Sequence, residues 1–121
     1  MIFLEIPLEI ALTELDTVTV VAIHGSVDSL NADQLTATFA EPIGRGRVAL
    51  VADFSEVTYT SSAGLRALLA TVKDCRRLGG DLRIAALQPQ VARVLSISGF
   101  TSILKVFPDR ASAVASFEAS A

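Results

Sequence analysis

The chain contains one cysteine, Cys75, and one histidine, His24. A lone cysteine excludes an internal disulfide framework and fits a reducing compartment. One Cys and one His are too few for a structural zinc site. No carboxylates fall at metal-ligand spacing, so neither a metal nor another cofactor is expected. No stretch approaches the roughly 20 apolar residues of a membrane span, so no membrane insertion is expected. Basic residues do not predominate: 10 Lys and Arg against 13 Asp and Glu leave a formal net charge of −3. That excludes the usual electrostatic footprint of a nucleic-acid-binding protein. The opening "MIFLEIPLEIALTEL" is apolar but is interrupted by Glu5, Glu9 and Glu14 and lacks a basic leading region. It does not read as a signal peptide, and the chain is expected to be cytoplasmic.

What is present is 121 residues at 51% hydrophobic content, enough to bury a core in one domain spanning 1–121. "LEIALTEL" (8–15) and "VTVVAIHG" (18–25) are β-rich runs split by Asp16-Thr17, the pattern of an antiparallel hairpin. In "SVDSLNADQLTATFAEP", Asp28 or Ser29 can cap a helix whose apolar face is Ala32, Leu35 and Phe39; Pro42 is expected to stop it. "GRGRV" reads as the turn back. "VALVADFS" (48–55) is a continuous apolar run of the kind buried on both faces of a parallel sheet.

From Ser62 to Leu78 the period becomes helical, with Leu65, Leu68, Leu69, Val72 and Cys75 on one stripe, and Gly79-Gly80 ends the helix. "DLRIAAL" (81–87) reads as a strand. A helix begins at Pro89, has Val91, Val94 and Leu95 as its face, and stops at Gly99. "TSILKVF" (101–107) reads as a strand, and a last helix capped near Asp109 buries Ala113, Val114 and Phe117. The order β-β-α-β-α-β-α-β-α predicts an α/β fold. Its sheet is mixed and mainly parallel, with about five strands, an N-terminal antiparallel hairpin and about four helices.

Candidate chemistry is sparse. A serine nucleophile needs a base, and His24 is the sole histidine. "TSSAG" is not a G-x-S-x-G elbow. A hydrolase using Ser62 and His24 is therefore a reading that their separation decides. "GRGR" lacks both the Walker lysine-hydroxyl pair and the dinucleotide fingerprint. Cys75 falls at the edge of a helix stripe and reads as a small hydrophobe.

The corner "TYTSSAGLRAL" carries more. A helix needs one capping serine, worth about 1 kcal/mol, yet Thr58, Thr60, Ser61 and Ser62 crowd this start. Gly64 follows in the first turn, where it costs about 1 kcal/mol relative to Ala. It is expected to leave the helix start open to close approach by another molecule. An exposed hydroxyl there tolerates a phosphate.

"DFSEVTYTSSAGLRALL", followed by "GGDLRIAAL", "VARVLSISGF" and "ILKVF", resembles the sulfate-transporter and anti-sigma-antagonist (STAS) domain, in particular the stand-alone bacterial anti-anti-sigma factors. "HGSVDSLNADQL" is similar to an earlier segment of that family, with Val27 in place of its Leu. The similarity runs from about residue 7 to about 118. It implies a non-enzymatic regulator that, when unmodified, binds an anti-sigma factor that is also a serine kinase of the histidine-kinase-like ATPase fold. Phosphorylation of one serine releases it, and a metal-dependent serine phosphatase resets it. Aligning Gly64-Leu65 with the family's Gly-Leu puts the acceptor on Ser62. Ser61 then stands where relatives carry an Asp, and it is a rival acceptor. The implied partner surface is Asp28, Ser29, Ser61, Ser62, Gly64, Leu65 and Arg66, on a monomer that forms heterocomplexes. The alternative within the family is a non-phosphorylated adaptor subunit of a transporter or another regulatory complex.

Overall fold

A computed structural model describes residues 7–118. Five strands form one sheet in chain order: β1 (Glu9–Leu15), β2 (Val18–Val27), β3 (Ala49–Thr60), β4 (Asp81–Ala85) and β5 (Lys105–Phe107). β1 and β2 are the antiparallel hairpin expected from Asp16-Thr17, with Leu15 opposite Val18. β2 through β5 are parallel. The helices are α1 (Ala32–Gly44), α2 (Ser62–Arg77), α3 (Pro89–Ile97) and α4 (Arg110–Glu118). The mixed, mainly parallel α/β architecture is the one read from the alternation of patterns.

Parallel strands that advance in one direction through right-handed crossovers keep their connecting helices on one face. Accordingly α1, α2 and α3 cover one side, where Leu35, Phe39, Leu68, Val72 and Leu95 meet Ile23, Phe54 and Ile84 in the main core. α4 follows the last strand and lies on the other side, placing Ala113, Val114 and Phe117 over Val18, Val20 and Val51. Charged groups lie beneath α4 and at the start of β4. Asp53 accepts from Arg110 Nε at 2.9 Å. Asp81 accepts from Arg76 at 2.8 Å and from Arg83 at 3.1 Å, and the Arg83 guanidinium lies 4.0 Å from the centre of the Phe117 ring.

Several expectations need correction. β3 does not end at Ser55; it continues through Thr60, paired with β2 as far as Val27 opposite Thr60, while β4 leaves it at Asp53. The polar "SEVTYT" is thus a two-stranded extension, with Val57 and Thr60 buried and Thr58 and Tyr59 exposed. Neither Asp28 nor Ser29 caps α1. Asp28 Oδ1 accepts the amides of Leu30 and Asn31 at 2.8 and 3.1 Å, closing a turn that delays the helix to Ala32. Pro42 does not stop that helix but lies buried in its last turn. A proline there forgoes only its own amide bond, and its carbonyl still accepts from Arg45 and Arg47.

Val94, expected on the buried face of α3, is exposed beside buried Val91 and Leu95. "TSILKVF" is not one strand: Phe100–Ser102 form a 3-10 turn, and only Lys105–Phe107 pair with β4. The Phe100 carbonyl takes the amides of Ile103 and Leu104, which turns Leu104 into the core.

Candidate functional site at the start of helix α2

The C-terminal ends of parallel strands are where α/β folds present their sites. Here β2 and β3 end together, and the Ser61 amide donates to the Val27 carbonyl at 2.8 Å. That bond brings the β2–α1 loop, with Asp28, Ser29 and Leu30, beside the first turn of α2. The Ser26 and Thr58 hydroxyls add a cross-strand contact at 3.1 Å just below.

The adjacent serines have different roles. Ser61 has extended backbone (φ −83°, ψ 173°), and its hydroxyl accepts the Gly64 amide at 3.3 Å; it is the N-cap of α2. Ser62 is the first helical residue, exposed, with no side-chain hydrogen bond among the described residues. One hydroxyl is occupied by the helix and its neighbour is directed to solvent.

Gly64 and Leu65, expected on the exposed patch, are both buried. A Cβ on Gly64 would lie 2.8 Å from Val27 Cγ1 and closer still to Thr60 Oγ1. The missing side chain therefore admits the fold's own strands, not an external molecule. Periodicity could have indicated this, because Gly64 is one turn before Leu68 on the inward stripe. What remains outward is Ser62 and Arg66 on α2, Ser29 in the facing loop, and half-buried Ser61 and Asp28.

Two large apolar side chains on the adjoining segments are also exposed, and the sequence pattern did not single them out. Leu30 is 81% exposed in the β2–α1 loop and Tyr59 is 53% exposed near the end of β3. Leu30 falls outside the Ala32, Leu35, Phe39 stripe, which was the available signal. Tyr59 lies beyond the strand read over 48–55, in a stretch to which no element was assigned, and carried no such signal.

His24 is not part of this arrangement. It pairs across the sheet with Glu9 and Glu56, and its Nε2 lies 3.7 Å from the Glu56 carboxylate. It sits three residues before Val27 on β2, roughly 10 Å back along an extended strand. No Ser62–His24 dyad is assembled, so the hydrolase reading fails on geometry. Among the described residues, no three His, Cys, Asp or Glu side chains are placed to hold a metal ion. No described helix is long and apolar enough to cross a membrane.

A family model for the STAS domain matches residues 9–113. The chain belongs to the STAS family. It is 36% identical over 111 residues to BtrV of Bordetella bronchiseptica, whose name assigns it to the anti-sigma factor antagonists; the match covers 92% of this chain and 96% of BtrV. An anti-sigma factor antagonist from Mycobacterium paratuberculosis superposes with a TM-score of 0.84 at 25% identity, covering 93% of this chain and 97% of that one. The unphosphorylated form of the anti-sigma factor antagonist SpoIIAA superposes with a TM-score of 0.80 at 17% identity, covering 92% and 97%, which establishes likeness of fold. The STAS anti-sigma factor antagonists are regulatory proteins and not enzymes. The small relatives are matched over nearly their whole lengths.

Proposed function

We propose that this STAS protein is an anti-sigma factor antagonist working by partner exchange. Unphosphorylated, it binds an anti-sigma factor that is also a serine kinase of the histidine-kinase-like ATPase fold. The contact surface is Asp28, Ser29, Ser61, Ser62 and Arg66, with Leu30 and Tyr59 as apolar anchors. The kinase transfers the γ-phosphoryl group of ATP to Ser62 Oγ, the bond to the β-phosphate breaks and ADP departs, the hydroxyl proton passes to solvent, and the complex dissociates. A metal-dependent serine phosphatase restores the hydroxyl. The exchange belongs in the cytoplasm, where ATP and sigma factors meet.

The observation that carries this reading is the division between the two serines: Ser61 caps the helix while the Ser62 hydroxyl is exposed and unengaged. A phosphate adds a charge of about −1.5 to −2. At the first position of a helix the dipole accommodates it, so the domain need not rearrange. A partner packed on the same surface meets new bulk and new charge, with Asp28 adding repulsion. A loss of about 3–4 kcal/mol weakens binding by roughly a few hundredfold.

The test is a set of variants with phosphopeptide mapping. S62A is expected to retain partner binding and take up no phosphate, and S62D to bind weakly. Phosphate located on Ser61 or Thr60 would refute the assignment.

A further inference from the structure

Ser62 and Arg66 are residues i and i+4 of α2. Side chains at that spacing share one stripe of the helix, with Cβ atoms roughly 5–6 Å apart. Both are exposed. Every other arginine except Arg93 is held by a carboxylate. Arg66 has no ion pair and no side-chain hydrogen bond among the described residues. The first turn of α2 contains no acid that could claim it. A free guanidinium therefore sits one turn beyond a free hydroxyl, on the same stripe.

We infer that Arg66 is the built-in counter-ion of a phosphate on Ser62. The inference rests on the reading of Ser62 as acceptor. An anion at i with a cation at i+4 is the favoured order along a helix. The planar guanidinium can give two N–H groups to phosphate oxygens, which an ammonium cannot do with the same geometry. Phosphorylation then changes two features of the surface together. It adds negative charge at Ser62, and it withdraws the cation at Arg66 from whatever partner acid it meets in the unmodified state. An exposed arginine becomes half of an internal ion pair, and the partner loses an attraction as well as gaining a repulsion.

The charged groups on the neighbouring elements are Asp28 in the β2–α1 loop, Asp33 in the first turn of α1, Glu56, which lies back along β3 beside His24, and Arg93 on α3. All four are common to the parent and an Arg66 variant, so a comparison isolates the guanidinium.

The experiment uses protein with phosphoserine installed at position 62 during translation, so no kinase is needed. Phosphorus NMR follows the second ionisation, which lies near pH 6 for phosphoserine. The midpoint in the parent is expected about 0.15–0.4 unit below that in R66Q. R66K is expected between them, and the difference should collapse in 1 M salt. Equal midpoints in parent and R66Q would overturn the counter-ion. A difference that survives 1 M salt would overturn it too. Matching thermal unfolding of the unphosphorylated proteins checks that R66Q keeps the fold. A kinase-transferred phosphate mapped to another residue would refute the functional reading instead, so the two failures are distinguishable.

Discussion

The amide of Ser61 donates to the carbonyl of Val27 at 2.8 Å, joining the start of α2 to the end of β2. This one bond fixes which of two adjacent serines caps the helix. It turns Ser61 inward toward the strands, where its hydroxyl meets the Gly64 amide, and leaves Ser62 outside.

The two serines should therefore separate in stability measurements. S61A removes the cap and is expected to destabilise the protein by about 1 kcal/mol. S62A removes no hydrogen bond and is expected to fall within about 0.5 kcal/mol of the parent. Urea unfolding of both variants checks this, and the reverse ranking would mean that Ser62 is the cap.

Gly64→Ala tests the inward packing. On an open helix surface the change would stabilise by up to about 1 kcal/mol. Here the added methyl meets Val27 and Thr60, and overpacking of this kind costs about 1–3 kcal/mol. A net loss of stability is expected. A gain would show that the helix start is open after all.

Asp53 should make stability pH-dependent. Burial alone raises its carboxyl, but the Ser55 amide and hydroxyl and the Arg110 guanidinium outweigh burial and hold it below the usual carboxylate range. A carboxylate with a depressed folded pKa stabilises fully above its unfolded value, near 4, and loses that contribution as pH falls through the folded value. Asp53→Asn is expected to cost about 1–2 kcal/mol at pH 7, a range that allows for solvent screening at the exposed Arg110 end. The gap between parent and variant should narrow below about pH 4. Denaturant unfolding across pH 3–7 gives the comparison, and a gap that stays constant would remove Asp53 from the account.

Cys75 is expected to report global unfolding. Burial, reinforced by the charges of Asp81 and Asp74, pushes its thiol up to about 11. The folded protein should resist thiol reagents near neutral pH, because the thiolate is the reactive form. Labelling rates should rise with denaturant in step with loss of helical signal. Rapid labelling in buffer alone would contradict the buried placement.

Much of the fold was legible along the chain. The hairpin at Asp16-Thr17, the Leu65 to Cys75 stripe and the alternation of apolar runs with helical periods are local patterns, and each became the expected element. The misreadings have a common origin. Glu56–Thr60 fell outside the strand read over 48–55 because most of its residues are polar, but it pairs with β2, which lies more than 30 positions earlier. Asp28 looked like a cap because of its type, but it closes a turn one step before the helix. "TSILKVF" alternates like a strand, yet Leu104 is drawn into the core by a 3-10 turn.

The site divides in the same way. Sequence alone determined that hydroxyls crowd the start of a helix after a long apolar strand, and that Arg66 lies one turn beyond Ser62, because caps and helical spacing are properties of neighbours in the chain. Only the tertiary structure decided that Ser61 is engaged and Ser62 free, that Gly64 and Leu65 turn inward, and that Leu30 and Tyr59 are exposed beside them. Those outcomes depend on the meeting of β2, β3 and α2. Val27 and Ser61 are 34 positions apart, and nothing in either segment alone states that one carbonyl will take the other's amide.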